Sequence, residues 1–151
     1  MKGRTTRVGL LTILVTLLAV LGCVPQVPGT PTLPPVRPPL EDTSWSLEAL
    51  GQPGDLRPAL VNREVTLSFA SDSQASGSAG CNSYGASYES TIDGSISFTD
   101  IISTEMYCVE PGVMDQEQFF LETLRDAEAY EVVDGMLRIS GGGRLLVLAK
   151  A

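Results

Sequence analysis

Prolines are concentrated in one segment near the amino terminus, and this segment divides the chain into parts that must fold differently. Residues 24–40, VPQVPGTPTLPPVRPPL, contain seven of the ten prolines in the 151-residue sequence. Proline fixes φ and lacks an amide donor, so this segment cannot join a helix or a central strand and favours extended polyproline II. At about 3.1 Å per residue, such a segment could reach roughly 50 Å. We therefore predict a semi-rigid spacer followed by one domain over residues 41–151.

The residues before the spacer have the pattern of an export signal. The first seven residues include three that are basic, and residues 8–21 form a stretch interrupted only by glycine and threonine. A membrane-spanning helix needs about 20 apolar residues, and this stretch is shorter. We therefore interpret residues 1–22 as a cleaved signal peptide.

The end of this signal, Val20-Leu21-Gly22-Cys23, resembles a bacterial lipobox. In a lipobox, the small residue before the cysteine lets a peptidase reach the bond, and the thiol is acylated. We therefore predict lipidation at Cys23 and a lipidated, proline-rich tether over residues 23–40, since multiple acyl chains anchor stably where one chain binds only marginally. The prediction implies an exported protein that is lipid-anchored to the bacterial cell membrane or outer membrane. The alternative is an ordinary cleaved signal with an accidental cysteine.

Negative charge dominates the mature chain. Cleavage removes three of the ten basic residues and none of the 18 acidic residues, which leaves seven basic residues and a net charge of −11. A field of this sign repels phosphate backbones and anionic lipid head groups, so nucleic acid is not expected as a partner. The acyl chains, and not basic residues, would hold this protein at a membrane.

The pattern of apolar residues after the tether predicts short strands and one helix. The predicted strands are residues 65–69, 75–79, 84–90, 95–103, 130–133, 136–140 and 144–149, and Trp45 with Leu47 is predicted to anchor an earlier strand in the core. Residues 113–127 change to helical period, with Glu117, Glu122 and Arg125 expected to stay in water. Because every connection is short, the strands should pair antiparallel, which predicts an α+β domain that is mainly antiparallel β.

Several catalytic and metal-binding classes lack the residues that they need. The chain has no histidine, which removes Ser-His-Asp and Cys-His catalysis and the commonest zinc sites. Residues 80–85 have Walker-like glycine spacing, but Ala86-Ser87 stands where lysine and Ser/Thr are required. The acidic residues around the predicted helix start suit the helix dipole. We therefore expect no catalytic residue, no cofactor and no metal site; an irregular calcium site and carboxylate chemistry stay open as alternatives.

Two further cysteines, Cys81 and Cys108, lie in the predicted domain. In an oxidising exported setting two leftover thiols usually pair, and the bridge would be worth about 3–4 kcal/mol in the chain-entropy model. A thioredoxin-like redox pair would need C-x-x-C at a helix start, whereas these cysteines are 27 positions apart. We expect a structural disulfide; two reduced thiols, or redox or ligand chemistry, are the alternatives.

Segments across the domain resemble the META domain family. The specific parts are SGSAGCNSYGASY at residues 76–88 and STEMYC at 103–108, and TSWSLEAL at 43–50, VTLSF at 65–69, DQEQFFLETL at 115–124 and the closing MLRIS…RLLVL also fit. The resemblance covers about residues 41–149 and implies a mainly β domain with one helix packed on a curved sheet, similar to HslJ-like bacterial lipoproteins. It implies no established enzymatic activity and a loose association with envelope stress, antibiotic tolerance and secreted or surface-exposed proteins.

The segment around Cys81 has a structural and a functional interpretation. Structurally, its glycines permit tight backbone geometry, and Asn82 suits a side-chain-bonded turn. Tyr84 and Tyr88 should share one strand face and can pack together. Functionally, Asn82, Tyr84 and Thr104 would line a small binding surface.

These features predict an envelope-anchored, non-enzymatic accessory or binding lipoprotein, related to stress or antibiotic tolerance. Its partners would be the lipid bilayer, through acylated Cys23, and another envelope protein or a small ligand. Two alternatives belong to other classes: a small enzyme that uses carboxylates or the cysteine pair, and a protease-inhibitor-like module that presents a disulfide-braced loop near residues 110–113.

Overall fold

The computed structural model describes residues 38–151, so the predicted signal peptide, Cys23 and most of the proline-rich tether lie outside the described residues. The described part contains nine strands and one helix. They are β1 (Thr43–Gln52), β2 (Asp55–Pro58), β3 (Thr66–Phe69), β4 (Gln74–Ser78), β5 (Ser83–Ser90), β6 (Ile96–Ser103), α1 (Val113–Arg125), β7 (Ala127–Val133), β8 (Met136–Gly141) and β9 (Arg144–Lys150). Within residues 38–151, the helix is too short to cross a bilayer.

The nine strands form one curled antiparallel sheet, as the short connections predict. The neighbour order is β6-β5-β4-β3-β1-β9-β8-β7, and β2 pairs with β1 outside this path. The two ends of the sheet approach each other, because Ser95 forms an isolated bridge with Ala129 and Tyr130 N donates to Gly94 O at 2.7 Å. The fold is therefore mainly antiparallel β in a curled sheet with a single helix.

Strand β6, at one end of the sheet order, contains a β-bulge. Ser87 pairs with Thr99 and Gly85 pairs with Ile102, so the register shifts between these pairs. Asp100 lies within the bulge and has a φ of 52°. Asp tolerates this left-handed conformation better than most residues, and a bulge locally increases the twist of the strand that carries it.

The sheet and the helix share one apolar core, and it begins earlier in the chain than the sequence indicates. Trp45 and Leu47 are buried in this core, as predicted. Leu40 is also part of it and is 1 % exposed, although its position after two prolines predicts that it belongs to the tether. Burial of a leucine side chain stabilises a fold by about 1.5–3 kcal/mol, which is sufficient reason for this residue to pack. The folded domain therefore includes Leu40.

Helix α1 packs its predicted apolar face into the core but ends earlier than predicted. Phe120 and Leu124 are fully buried. The helix stops at Arg125 because the chain turns directly into β7, where Ala127 is already a strand residue. The prediction that Glu117 stays in water is wrong, since this side chain is only 6 % exposed.

Candidate functional site

A disulfide joins two irregular segments on one side of the domain. Cys81 follows β4, and Cys108 lies between β6 and α1. Their sulfurs are 2.09 Å apart and their Cα atoms are 5.9 Å apart. The predicted pairing is thus the arrangement in the structure, and it ties the β4–β5 turn to the segment that leads into the helix.

Asn82, the residue after the first cysteine, is the centre of a buried hydrogen-bond network. Its side-chain Nδ2 donates to Met106 O at 3.0 Å, and its Oδ1 accepts from Met106 N at 2.7 Å. The same Oδ1 accepts from Thr104 Oγ1 at 2.7 Å. One carboxamide therefore holds both main-chain groups of Met106. Asn82 and the disulfide thus attach residues 104–109 to the domain. We call these residues the clamped loop.

Glu117 of α1 completes this network from the helix side. Its Oε2 accepts from the backbone N of Asn82 at 2.7 Å and of Cys81 at 3.2 Å. Its Oε1 accepts from Asn82 Nδ2 at 2.7 Å. Three donors thus satisfy a buried carboxylate, and every buried side-chain nitrogen and oxygen in the described part has a partner. The arrangement fixes the orientation of the Asn82 carboxamide and with it the clamped loop.

Of the three residues predicted to line a binding surface, only Thr104 is exposed. Asn82 and Tyr84 are 2 % and 5 % exposed, because Asn82 holds the clamped loop and Tyr84 packs edge-on against Phe120 with ring centroids 5.4 Å apart. Tyr84 and Thr104 both line one concave surface with a volume of about 260 Å³, and Asn82 is bonded to Thr104 from inside the domain. Tyr84 and Tyr88 do share the buried face of β5, as predicted.

Burial makes Tyr84 sensitive to alkaline conditions. Desolvation raises the pKa of its phenol above the ordinary value, and its hydroxyl donates to Thr66 O at 2.8 Å. The folded state therefore favours the neutral phenol. The resulting stabilisation is fully present below the pKa of an unfolded tyrosine, about 10, and is lost as pH rises above it.

We expect Tyr84→Phe to reduce the loss of stability between about pH 9 and pH 11. At neutral pH the same change should cost about 1 kcal/mol, since it removes one hydrogen bond. Urea unfolding of residues 38–151 across this pH range measures both effects. The matched control is Tyr107→Phe at an exposed tyrosine. An equal alkaline slope in wild type and Tyr84→Phe would contradict the assignment.

The clamped loop exposes apolar side chains that were not predicted from the sequence to form a site. Met106, Tyr107 and Val109 are 57 %, 79 % and 83 % exposed. The predicted inhibitor-like loop was placed over residues 110–113, but Val113 is buried at the helix start. Glu110 and Pro111 of that predicted loop are exposed, and the exposed apolar residues of the clamped loop precede them. The signal in the sequence was the apolar Met-Tyr pair directly beside Cys108.

A second concave surface lies beside the clamped loop, with a volume of about 420 Å³. Its lining residues are Leu60, Val61, Asn62, Arg63, Glu110, Pro111 and Val113. Arg63 forms an ion pair with Glu110 across it, and the hydrogen bond from Arg63 holds the pKa of the Glu110 carboxyl below its usual range. The charges at this surface are thus already paired with each other.

Two carboxylates of the described part, Glu122 and Asp126, both accept hydrogen bonds from the guanidinium of Arg144. Glu117 is the one buried carboxylate among residues 38–151, and its oxygens face amide donors. In the same part of the chain, no cluster of three His, Cys, Asp or Glu residues could hold a metal ion. The buried polar groups of this site therefore serve to hold a loop.

The fold and the site define a small α+β domain in which a disulfide and a buried Asn–Glu pair support an exposed loop. The chain belongs to the META domain family, whose family model matches residues 38–151. No match is found among curated proteins.

Solved structures share this fold. The NMR structure of a protein from Burkholderia xenovorans is 26 % identical with a TM-score of 0.64, covering 83 % of this chain and 99 % of that one. The crystal structure of a DUF4847 family protein from Bacteroides vulgatus is 13 % identical with a TM-score of 0.53, covering 73 % of this chain and 93 % of that one. Because the sequence identity to the Bacteroides vulgatus protein is only 13 %, this comparison shows a shared fold and nothing about function.

Proposed function

We propose that this protein is an envelope-anchored, non-enzymatic binding lipoprotein. The acyl chains on Cys23 would hold it at a bacterial membrane, and the proline-rich tether would lift the META domain away from the lipid surface. The domain would then contact another envelope protein, in a role connected with envelope stress or antibiotic tolerance. The clamped loop is the surface that we propose for this contact.

The non-enzymatic part of the proposal rests on Glu117, whose carboxylate accepts hydrogen bonds at both oxygens from groups inside the domain. A general acid or base needs a carboxyl that can exchange a proton with a substrate. Both Glu117 oxygens instead accept hydrogen bonds from the β4–β5 turn, at 2.7 Å from Asn82 N and Asn82 Nδ2 and at 3.2 Å from Cys81 N. A carboxylate in this arrangement supports the loop through both of its oxygens.

The binding part of the proposal is supported by the apolar surface of the clamped loop. Exposed single apolar residues are ordinary, but neighbouring ones mark contact sites. Met106, Tyr107 and Val109 lie within four consecutive residues and are all exposed. Aromatic residues and methionine are enriched in protein–protein interfaces. A protein partner therefore fits this surface better than a small polar ligand.

Anchoring is tested by expressing the full chain in a bacterial host. We expect the wild type to fractionate with membranes and its mass to show processing at Cys23 with added acyl groups. The Cys23→Ser chain should lose both the acyl mass and stable membrane attachment, because the thiol is the acylation site. A matched control, Cys108→Ser, should keep the acyl mass. Unprocessed protein in the cytosol would contradict the proposal.

A further inference from the structure

The hydrogen bonds of the clamped loop determine which way its backbone faces. Asn82 binds both the N–H and the C=O of Met106, at 2.7 and 3.0 Å. In extended chain the N–H and C=O of one residue point to the same side, and those of the next residue point to the opposite side. Met106 is therefore extended and faces the domain, and the main-chain groups of Tyr107 face away from it.

The neighbouring residues continue this alternation. Cys108 N donates to the Sδ of Met114 in α1 at 3.5 Å, so Cys108 faces the domain as Met106 does. Tyr107 makes no hydrogen bond within residues 38–151. Its side chain is 79 % exposed, and that of Val109, two positions later, is 83 % exposed. The loop thus offers a free main-chain edge at Tyr107 together with two exposed apolar side chains.

We propose that the clamped loop binds in the cleft of a serine-type endopeptidase with an apolar primary pocket, and that Tyr107 fills this pocket. The inference deepens the proposed binding role and rests on it. An extended peptide is recognised through main-chain hydrogen bonds, with pockets for its side chains. A hydrophobic primary pocket of the chymotrypsin kind accepts a large apolar side chain, and Tyr107 presents one that is 79 % exposed.

The support behind the loop favours an inhibitor over an ordinary substrate. A segment that is already held in its bound conformation loses less conformational freedom on binding. Here Asn82 holds Met106, Glu117 holds Asn82, and the disulfide fixes Cys108. The backbone on both sides of Tyr107 is thus tied to the domain. If the peptidase cleaved the chain after Tyr107, the same contacts would hold the two new chain ends together in the cleft.

The charge of the domain favours a protein cleft over a lipid surface as the occupant. Residues 38–151 contain six basic and 18 acidic residues, a net charge of −12. Anionic head groups attract basic segments and repel acidic ones. Glu105 and Glu110 also flank the exposed apolar residues. A loop of this composition is poorly suited to enter a bilayer, whereas a peptidase cleft binds the backbone and one side chain.

The test is inhibition of chymotrypsin by the full chain, purified in detergent under oxidising conditions, with a chromogenic peptide as substrate. We expect competitive inhibition by the wild type. Tyr107→Ala should weaken it by about 30-fold or more, as the loss of a central interface residue does. Tyr107→Lys should lose inhibition of chymotrypsin and gain inhibition of trypsin, whose primary pocket is acidic. Ile92→Ala, at an exposed apolar residue in the β5–β6 turn, is the matched control and should inhibit like wild type.

Three results would overturn the inference. They are absence of inhibition with the protein in excess, unchanged inhibition by Tyr107→Ala, and rapid cleavage after Tyr107 in the wild type. Tyr107-dependent binding to lipid vesicles without inhibition would assign the loop to a membrane instead. Membrane attachment through Cys23 is measured separately, so a failed inhibition assay with intact anchoring rejects the peptidase and leaves the anchored lipoprotein standing.

Discussion

Replacing both disulfide cysteines, Cys81→Ser with Cys108→Ser, is expected to lower the free energy of unfolding by about 3–4 kcal/mol. The bridge spans 27 positions, and cross-linking residues at this separation removes that much chain entropy from the unfolded state. The loss is large beside the 5–15 kcal/mol that typically holds a domain together. Because the bridge also fixes the clamped loop, the loop should become more mobile than the rest of the domain.

Urea unfolding of residues 38–151 measures the effect, and reduction of the wild type provides an independent comparison. The reduced wild type and the double serine variant should have similar stabilities, since both lack the cross-link. Hydrogen exchange at residues 104–109 reports the loop separately. Equal stability of the oxidised wild type and the double variant would contradict the structural role of the bridge.

The second large effect is expected at the Asn82–Glu117 pair. Glu117→Ala leaves two backbone donors, Cys81 N and Asn82 N, without an acceptor, and it leaves Asn82 Nδ2 with Met106 O as its one acceptor. Each unsatisfied buried donor costs about 1–3 kcal/mol, so we expect a loss on the order of 4 kcal/mol. Glu117→Gln should cost less but remain destabilising. Its amide nitrogen would have to face a donor, and rotation of the Asn82 carboxamide would place Nδ2 against Met106 N.

A double-mutant cycle separates this pair from a general loss of packing. Asn82→Ala and Glu117→Ala both remove the hydrogen bond from Asn82 Nδ2 to Glu117 Oε1, so the double variant should lose less stability than the sum of the two single losses, with a coupling of about 0.5–3 kcal/mol. Glu128→Gln on the exposed face of β7 is the control, and surface changes of this kind stay within about 0.5 kcal/mol. Additive losses at Asn82 and Glu117 would contradict the network.

The sheet was largely predictable because its strands carry their own pattern. Residues 65–69 alternate between buried and partly buried positions, and the sequence alone shows this period. Strand β2 was not predicted, since its four residues are all exposed and it is held by pairing with β1. Leu40 was misplaced because two prolines precede it, and local composition gives no sign that the core reaches back across that boundary.

The site was less predictable because its contacts connect distant parts of the chain. The cysteine pair could be inferred from two facts alone, namely that two cysteines remain in the domain and that an exported protein meets an oxidising compartment. Glu117 was assigned to water from its neighbours on the helix, but its partners Cys81 and Asn82 lie more than 30 positions earlier. Nothing in the helical period indicates them. The exposure of Tyr107 likewise depends on Asn82 holding Met106 from behind, which only the folded arrangement reveals.

The bulge at Asp100 has a consequence for the behaviour of many copies held close together. A strand at a sheet border exposes amide and carbonyl groups that can template the addition of a second chain. Asp100 interrupts these backbone groups with a positive φ, an added twist and a negative charge. Each of these opposes the pairing of β6 with a strand of another copy. Crowded copies of this domain should therefore resist fibrous self-assembly through β6.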